Sequence, residues 1–197
     1  MYYDVFISGF GGQGILLAGQ LLAEAAMEKG LEVTFFPSYG VEMRGGTARC
    51  TVILSDEAIG SPIVDSPLCI IAMNQPSLLR YQESLPEGGL FIVNSSLARL
   101  EDVQRDDILV RAVPISELAI ELGNARLANM VALGAFAQCS GTLAPEEIVA
   151  ALESVISARN RKLIPLNEKA ILEGARYARE MPVFQMHEVE KRDGQTY

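Results

Sequence analysis

Two glycine-rich segments near the start of the chain hold the residues whose types and spacing bear on chemistry. In Gly9-Phe10-Gly11-Gly12-Gln13-Gly14, the residues Gly9, Gly11 and Gly14 follow G-x-G-x-x-G spacing, between the strand-like run Tyr2-Tyr3-Asp4-Val5-Phe6-Ile7 and a helix-like stretch. Glycines so placed let the backbone turn tightly, admit a ligand closely, and let the helix pack on the strand. Free N–H groups at a helix start also attract an anion. A nicotinamide site would add an acid at the end of the second strand to hold the ribose hydroxyls. Pro37 and Ser38 occupy that position, and Glu28 and Glu32 come too early. The segment alone leaves three uses open: dinucleotide binding, strand–helix packing, and a phosphate or subunit contact.

The second segment, Tyr39-Gly40-Val41-Glu42-Met43-Arg44-Gly45-Gly46, follows the strand-like run Glu32-Val33-Thr34-Phe35-Phe36. Arg44 offers a planar fork suited to a carboxylate or phosphate, and Glu42 can orient it or a neighbour. A loop stiffened by a Glu42–Arg44 ion pair is the plainer reading. Neither segment holds a base–nucleophile pair or a histidine, so no complete catalytic set is present in them. If the two strands are parallel neighbours joined by the helix between them, both segments emerge at one sheet edge. That edge is where open α/β sheets bind ligands.

The elements that must position these loops read clearly. A helix is expected over 15–29, closed by Gly30. Its polar positions Gln20, Glu24 and Glu28 form one narrow stripe, so the rest is expected to be covered, by the sheet and by another protein. About ten residues then separate the second strand from a third over 48–54. That is too short for a parallel crossover, so the third strand is antiparallel to the second or lies at a sheet edge. Further strands are expected over 68–73, 90–93 and 108–110, with a helix from Pro76 through Leu85 between the first two. Beyond them, Ser116 is expected to cap a short helix ending at Gly123. Helices follow over 125–139, from Pro145, and over 166–179. The sum is an α/β chain: a three-layer, Rossmann-like fold with a mostly parallel, mixed sheet and a helical C-terminal part. One domain over 1–181 and a mobile tail over 182–197 are expected.

Composition narrows the function classes. The chain has 197 residues, 49% hydrophobic and 21% charged, with a formal charge of −9. An acidic surface repels nucleic acid and anionic membranes, and the one notable basic cluster is Arg159, Arg161 and Lys162. The three cysteines, Cys50, Cys69 and Cys139, are far apart, and the single histidine, His187, lies in the polar tail. No metal-ligand spacing results, and no metal is expected on this chain. Without a signal-peptide pattern or a long apolar run, a cytoplasmic location is expected.

The paired loops resemble a known family. A GxGGQG loop at the first strand followed by YGxExRGG is similar to the gamma subunit of 2-oxoacid:ferredoxin oxidoreductases. The resemblance extends through Ser55-Asp56-Glu57, Ile59-Gly60-Ser61-Pro62, Ala72-Met73-Asn74-Gln75-Pro76, Val93-Asn94-Ser95-Ser96 and Asn129-Met130-Val131-Ala132-Leu133-Gly134, covering about residues 3 to 180. It implies a multi-subunit enzyme that oxidises a 2-oxoacid to an acyl-CoA. Thiamine diphosphate would sit on the alpha and beta subunits and iron–sulfur clusters on other subunits, including a ferredoxin-like delta subunit. Ferredoxin would accept the electrons and CoA would be co-substrate. By the same resemblance, Gly9, Gly11, Gly12, Gln13 and Gly14 would border the CoA region or a subunit contact. Tyr39, Gly40, Glu42, Arg44, Gly45 and Gly46 would lie at an interface, in a chain inactive alone. Tyr39 and Glu42 favour the 2-oxoglutarate and aliphatic branches over the indolepyruvate branch, with pyruvate and branched acids as alternatives. The competing readings are a free-standing nucleotide-binding oxidoreductase and a small CoA-binding module using Arg44 or the Arg159–Lys162 cluster.

Overall fold

The computed structural model describes residues 1–39 and 47–181. Six strands, β1 (Tyr2–Phe10), β2 (Glu32–Tyr39), β3 (Thr47–Ser55), β4 (Cys69–Ala72), β5 (Leu90–Asn94) and β6 (Leu109–Val113), form one sheet. Their order is β2-β3-β1-β4-β5-β6. β1, β4, β5 and β6 pair in parallel, and β3 is antiparallel to both β1 and β2. The expected mixed sheet is present, with one correction. β1 and β2 run parallel but are not neighbours, because the short link after β2 forces a hairpin and β3 inserts between them. β2, not β3, holds the sheet edge. Ala48 pairs with Gly9 on one side and with Tyr39 on the other. The two glycine segments therefore leave the sheet at the same level, about two strand spacings or roughly 10 Å apart.

β1 also runs further than its apolar stretch suggests, through Gly9 and Phe10. Alternation of its side chains splits the core into two. Val5 and Ile7 join Leu21, Leu22, Ile71, Leu133 and Phe136 on one face. Phe6 joins Ile70, Leu78, Tyr81, Phe91 and Val110 on the other. The first face carries α1 (Ile15–Glu28), and the second carries α2 (Gln75–Tyr81), whose Asn74 cap accepts from Ser77 N–H at 2.9 Å. α3 (Ile115–Glu121), α4 (Ala128–Ser140), α5 (Pro145–Ala150), α6 (Leu152–Val155) and α7 (Ile164–Glu180) form the helical second half. Ser116 is not the cap of α3. Pro114 takes that position, and the Ser116 hydroxyl instead meets Asn94 Nδ2 at 2.9 Å.

Ten consecutive α4 residues, from Ala128 to Ala137, are buried, so α4 shows no polar stripe. It is enclosed by α7, α3, α5, α1 and the sheet. Gly134 and Gly174 set the closeness of α4 and α7: a Cβ at Gly134 would lie 1.8 Å from the Ile171 carbonyl oxygen, and one at Gly174 would lie 2.0 Å from that of Val131. The same helical half covers α1. Its second apolar side packs on α4, α5 and α6 of this chain, where the sequence reading expected another protein.

Lys29, just past α1, ties that helix to the start of α5. Its ammonium lies 3.0 Å from Glu147 and donates to the Thr142 carbonyl at 3.3 Å. The Glu147 carboxylate also accepts from Ala144 N–H at 2.7 Å. That backbone bond first, and the Lys29 charge second, hold its pKa below the usual glutamate range. A depressed carboxylate contributes stability above its unfolded pKa and loses it as pH falls through the folded value. Glu147→Gln is therefore expected to flatten the loss of stability as pH falls from about 5 to below about 4. Urea midpoints across that range check it, and parallel wild-type and variant curves would contradict it. The effect is small because the pair is partly exposed.

Candidate functional site

The carboxyl edge of the parallel strands is organised by amide side chains. Gln13 is the centre. Its Oε1 accepts from Phe10 N–H at 2.6 Å and from Asn74 Nδ2 at 3.2 Å, and its Nε2 donates to the Met73 carbonyl at 3.3 Å. The glycine loop after β1 is thereby clipped onto the end of β4. Asn94, at the end of β5, donates to the same Met73 carbonyl at 3.1 Å and to the Ser116 hydroxyl, and accepts from Ser116 N–H at 3.3 Å. Asn129, from α4, donates to the Gly14 carbonyl at 3.1 Å. Three strand ends and two helices are locked together by four amides.

Local geometry explains the glycines. A Cβ at Gly9 would meet Gln13 Oε1 at 2.5 Å, so Gly9 makes room for the clip. Gly12 and Gly14 have φ of 97° and 74°, a region L-residues rarely enter. Gly14 is the residue before α1, and its own missing Cβ would collide with Asn129 Nδ2 at 2.5 Å. Gly11 and Gly12 are exposed. The strand–helix packing use of this motif is met here, and the exposed Gly11–Gly12 stretch faces outward.

The second loop's residues Gly40, Glu42, Arg44, Gly45 and Gly46 lie outside the described residues. Tyr39 ends β2. The Arg159, Arg161 and Lys162 cluster is exposed on a 3-10 turn over Ala158–Leu163, on the helical half, apart from the glycine loop.

Cys50 and Cys69 are buried and Cys139 is partly buried. Burial pushes the Cys50 thiol up to about 12, and the Cys69 and Cys139 thiols also rise, chiefly from burial. Protonated thiols are poor nucleophiles and poor metal ligands. Among the described residues no group of three His, Cys, Asp or Glu side chains converges. No described helix is long and apolar enough to cross a membrane. One groove, lined by Gln20, Glu24, Met27, Phe35 and Ser154, opens beside the β2 edge. Another, lined by Tyr3, Gly89, Leu109 and Cys139, opens at the opposite end of the sheet. Neither includes the glycine-loop residues.

Sequence reasoning assigned roles to the glycines and Gln13 but none to Asn74, Asn94 or Asn129, and to Ser116 only that of a helix cap. Three of these lay inside the stretches that carried the family resemblance, Ala72-Met73-Asn74, Val93-Asn94-Ser95 and Asn129-Met130. Their common meeting point at one edge was the missing information.

A mixed sheet of this order, with a glycine loop clipped at its carboxyl edge, defines an α/β domain. The chain belongs to the pyruvate ferredoxin/flavodoxin oxidoreductase family, whose model matches residues 4–177. It is 38% identical over 176 residues to the ketoisovalerate oxidoreductase subunit VorA of Methanothermobacter thermautotrophicus, covering 89% of this chain and 36% of that protein. It thus spans about a third of the length of that relative. It is 34% identical over 183 residues to the 2-oxoglutarate synthase subunit KorC of the same organism, covering 88% of this chain and 97% of that one. The gamma subunit of keto/oxoacid ferredoxin oxidoreductase from Geobacter sulfurreducens has the same fold, with a TM-score of 0.78 and 31% identity. The match covers 91% of this chain and 99% of that chain.

Proposed function

We propose that this chain is the gamma-type subunit of a 2-oxoacid:ferredoxin oxidoreductase, acting in assembly and at the approach of CoA, with 2-oxoglutarate as the oxoacid. The end-to-end correspondence with a solved gamma subunit carries the reading. The full-length match with a 2-oxoglutarate synthase subunit supports the substrate. A branched-chain 2-oxoacid is the second reading, because identity to the ketoisovalerate relative is higher.

The chain's own chemistry fits a supporting part. The amides at the carboxyl edge are engaged with backbone and with each other, and none is paired with a carboxylate as an acid–base set would require. Thiamine diphosphate needs a cation held by convergent carboxylates or amides, and an iron–sulfur cluster needs convergent thiolates. The described residues bring together no such set, and in this reading both cofactors sit on partner alpha, beta and ferredoxin-like subunits. Gly9, Gly11, Gly12, Gln13 and Gly14 present a rigid backbone edge to CoA or a partner. We assign Tyr39, Gly40, Glu42, Arg44, Gly45 and Gly46 to the subunit interface that the family resemblance implies, where the Arg44 guanidinium suits a carboxylate or phosphate.

Co-expression with the alpha and beta chains is expected to give CoA-dependent reduction of a viologen dye by 2-oxoacid, while the isolated chain gives none. Acyl-CoA formation across a panel of 2-oxoacids separates 2-oxoglutarate from branched acids. Equal activity of the complex prepared without this chain would defeat the subunit assignment. Saturable micromolar binding of NAD(P) or FAD to the isolated chain would revive the free-standing oxidoreductase.

A further inference from the structure

β2 is an edge strand of the sheet, and the register fixes which of its peptide groups point off that edge. Met73 N–H donates to the Ser8 carbonyl, so Ser8 turns its peptide groups toward β4. Ile7, one residue earlier, turns its own toward β3, where it meets Cys50. Arg49 and Thr51 then face β2, opposite Ser38 and Phe36. By the same alternation Val33, Phe35 and Pro37 direct their peptide groups away from β3. Pro37, with no N–H to give, sits at an outward position, as a proline within a strand must. Val33 and Phe35 each keep an N–H and a C=O in the plane of the sheet, the template that an added strand uses.

A groove of about 410 Å³ runs beside this edge on the α1 face. Its apolar lining is Ala23, Met27, Val33, Phe35 and Val155, with Met27 53% exposed. Its rim is acidic. Glu24 lines it, the Glu28 carboxylate accepts from the lining Ser154 hydroxyl at 2.9 Å, and the exposed Glu32 directly precedes Val33. The nearby cation, Lys29, is held by Glu147 at 3.0 Å. Glu24 and Glu28 belong to the polar stripe of α1, the side that the helical half leaves uncovered.

These features select the occupant. A small ligand would use the groove but not the row of strand peptide groups beside it. A second copy of this chain would bring Glu24, Glu28 and Glu32 against their own counterparts, a like-charge contact. The C-terminal segment leaves from Met181, whose carbonyl accepts from Arg111 of β6 at 2.8 Å. β6 is the opposite edge of the sheet, five strand spacings or about 24 Å away.

We propose that the amino half of β2 and its groove receive an extended segment of a partner subunit, carrying apolar side chains at alternate positions and a lysine or arginine for the acidic rim. Main-chain bonds to Val33 and Phe35 supply affinity, the groove reads the alternate side chains, and the rim sets the sign of charge. The inference rests on the subunit reading above and adds to it a surface and the chemistry of the segment that fills it.

Single-residue hydrogen exchange on the full chain, alone and in the co-purified complex, tests it. In the isolated chain the Val33 and Phe35 amides should exchange faster than those of Phe36 and Ser38. Assembly should slow Val33 and Phe35 by at least about tenfold. Val33→Pro removes an outward N–H and leaves the ladder to β3 intact. It is expected to weaken affinity for the alpha and beta chains by about tenfold or more. Glu24→Lys combined with Glu32→Lys should weaken it too, most at low salt. Unchanged exchange at Val33 and Phe35 in a complex that does assemble overturns this inference alone, as does wild-type affinity in both variants. Protection in the isolated chain that is lost on truncation after Met181 makes the occupant this chain's own C-terminal segment and overturns it. Protection that grows with the concentration of the isolated chain makes the occupant a second copy and also overturns it. Should Val33→Pro fail to fold, exchange in the wild-type complex still decides. Failure of the wild-type chain to assemble with any alpha and beta pair overturns both this inference and the subunit reading.

Discussion

Gly134→Ala is expected to lower the melting temperature by roughly 6–12 °C. The added Cβ would sit 1.8 Å from the Ile171 carbonyl oxygen and 2.7 Å from its carbon. Neither is the flexible end of a side chain, so relief requires α4 and α7 to move apart. Gly174 makes the reciprocal approach to Val131, so separation undoes a second contact as well. Overpacking of this kind costs on the order of 3 kcal/mol, and a chain of this size loses about 2–4 °C per kcal/mol. Thermal unfolding by circular dichroism measures it. A shift under about 2 °C would mean the two helices are free to separate, and the packing account of this crossing would fail. Because α4 also carries Asn129, displacement of α4 should loosen the glycine loop and weaken assembly of the complex in the same variant.

Gly14→Ala should be the most damaging single change in the glycine loop. Two costs combine. An alanine at φ 74° enters the left-handed region, at about 1–2 kcal/mol. Its Cβ then meets Asn129 Nδ2 at 2.5 Å and Cγ at 2.9 Å, displacing the amide that donates to the Gly14 carbonyl. Loss of that bond adds on the order of 1 kcal/mol. A double-mutant cycle with Asn129→Ala separates the terms, because the alanine at 129 removes the clashing atoms. The cost of Gly14→Ala should then shrink to the backbone strain alone, leaving a coupling of about 1–2 kcal/mol. Identical costs in both backgrounds would show that Asn129 does not hold the loop.

Much of the architecture was legible because it follows from local rules. Six apolar runs of strand length separated by glycine, proline and helical stretches appear as six strands, and Gly30 and Gly141 close their helices at φ 85° and 64°. The short link after β2 required an antiparallel third strand, since a crossover cannot be built from so few residues. Where the hairpin would insert was not legible. Nothing in 47–55 states whether it pairs outside β2 or between β2 and β1, because its two edges are chemically alike in sequence. The burial of both faces of β3 decides for the central position. The Ser116 expectation failed for a different reason: a serine before a helical run reads as a cap, but the cap position already belonged to Pro114, and the hydroxyl had a distant partner in Asn94.

The same division holds for the site. The residue types and spacing of Gly9, Gly11, Gly12, Gln13 and Gly14, and the presence of Pro37 and Ser38 where a ribose-binding acid is expected, marked the loop and weighed against a self-contained dinucleotide site, because backbone permissiveness and missing charge are properties of the chain itself. The apolar breadth of α1 was also legible, but what covers it was not: α4, α5 and α6 come from more than 90 residues along the chain. Only the tertiary structure joined Gln13 to Met73 and Asn74, Asn129 to Gly14, and Arg49 to two aromatic rings. Those pairings span tens of residues and depend on strand order and helix crossing, which no local pattern encodes. The sequence by itself determined what kinds of groups this protein brings to its carboxyl edge; the fold decided which of them are spent on holding that edge together and which face outward.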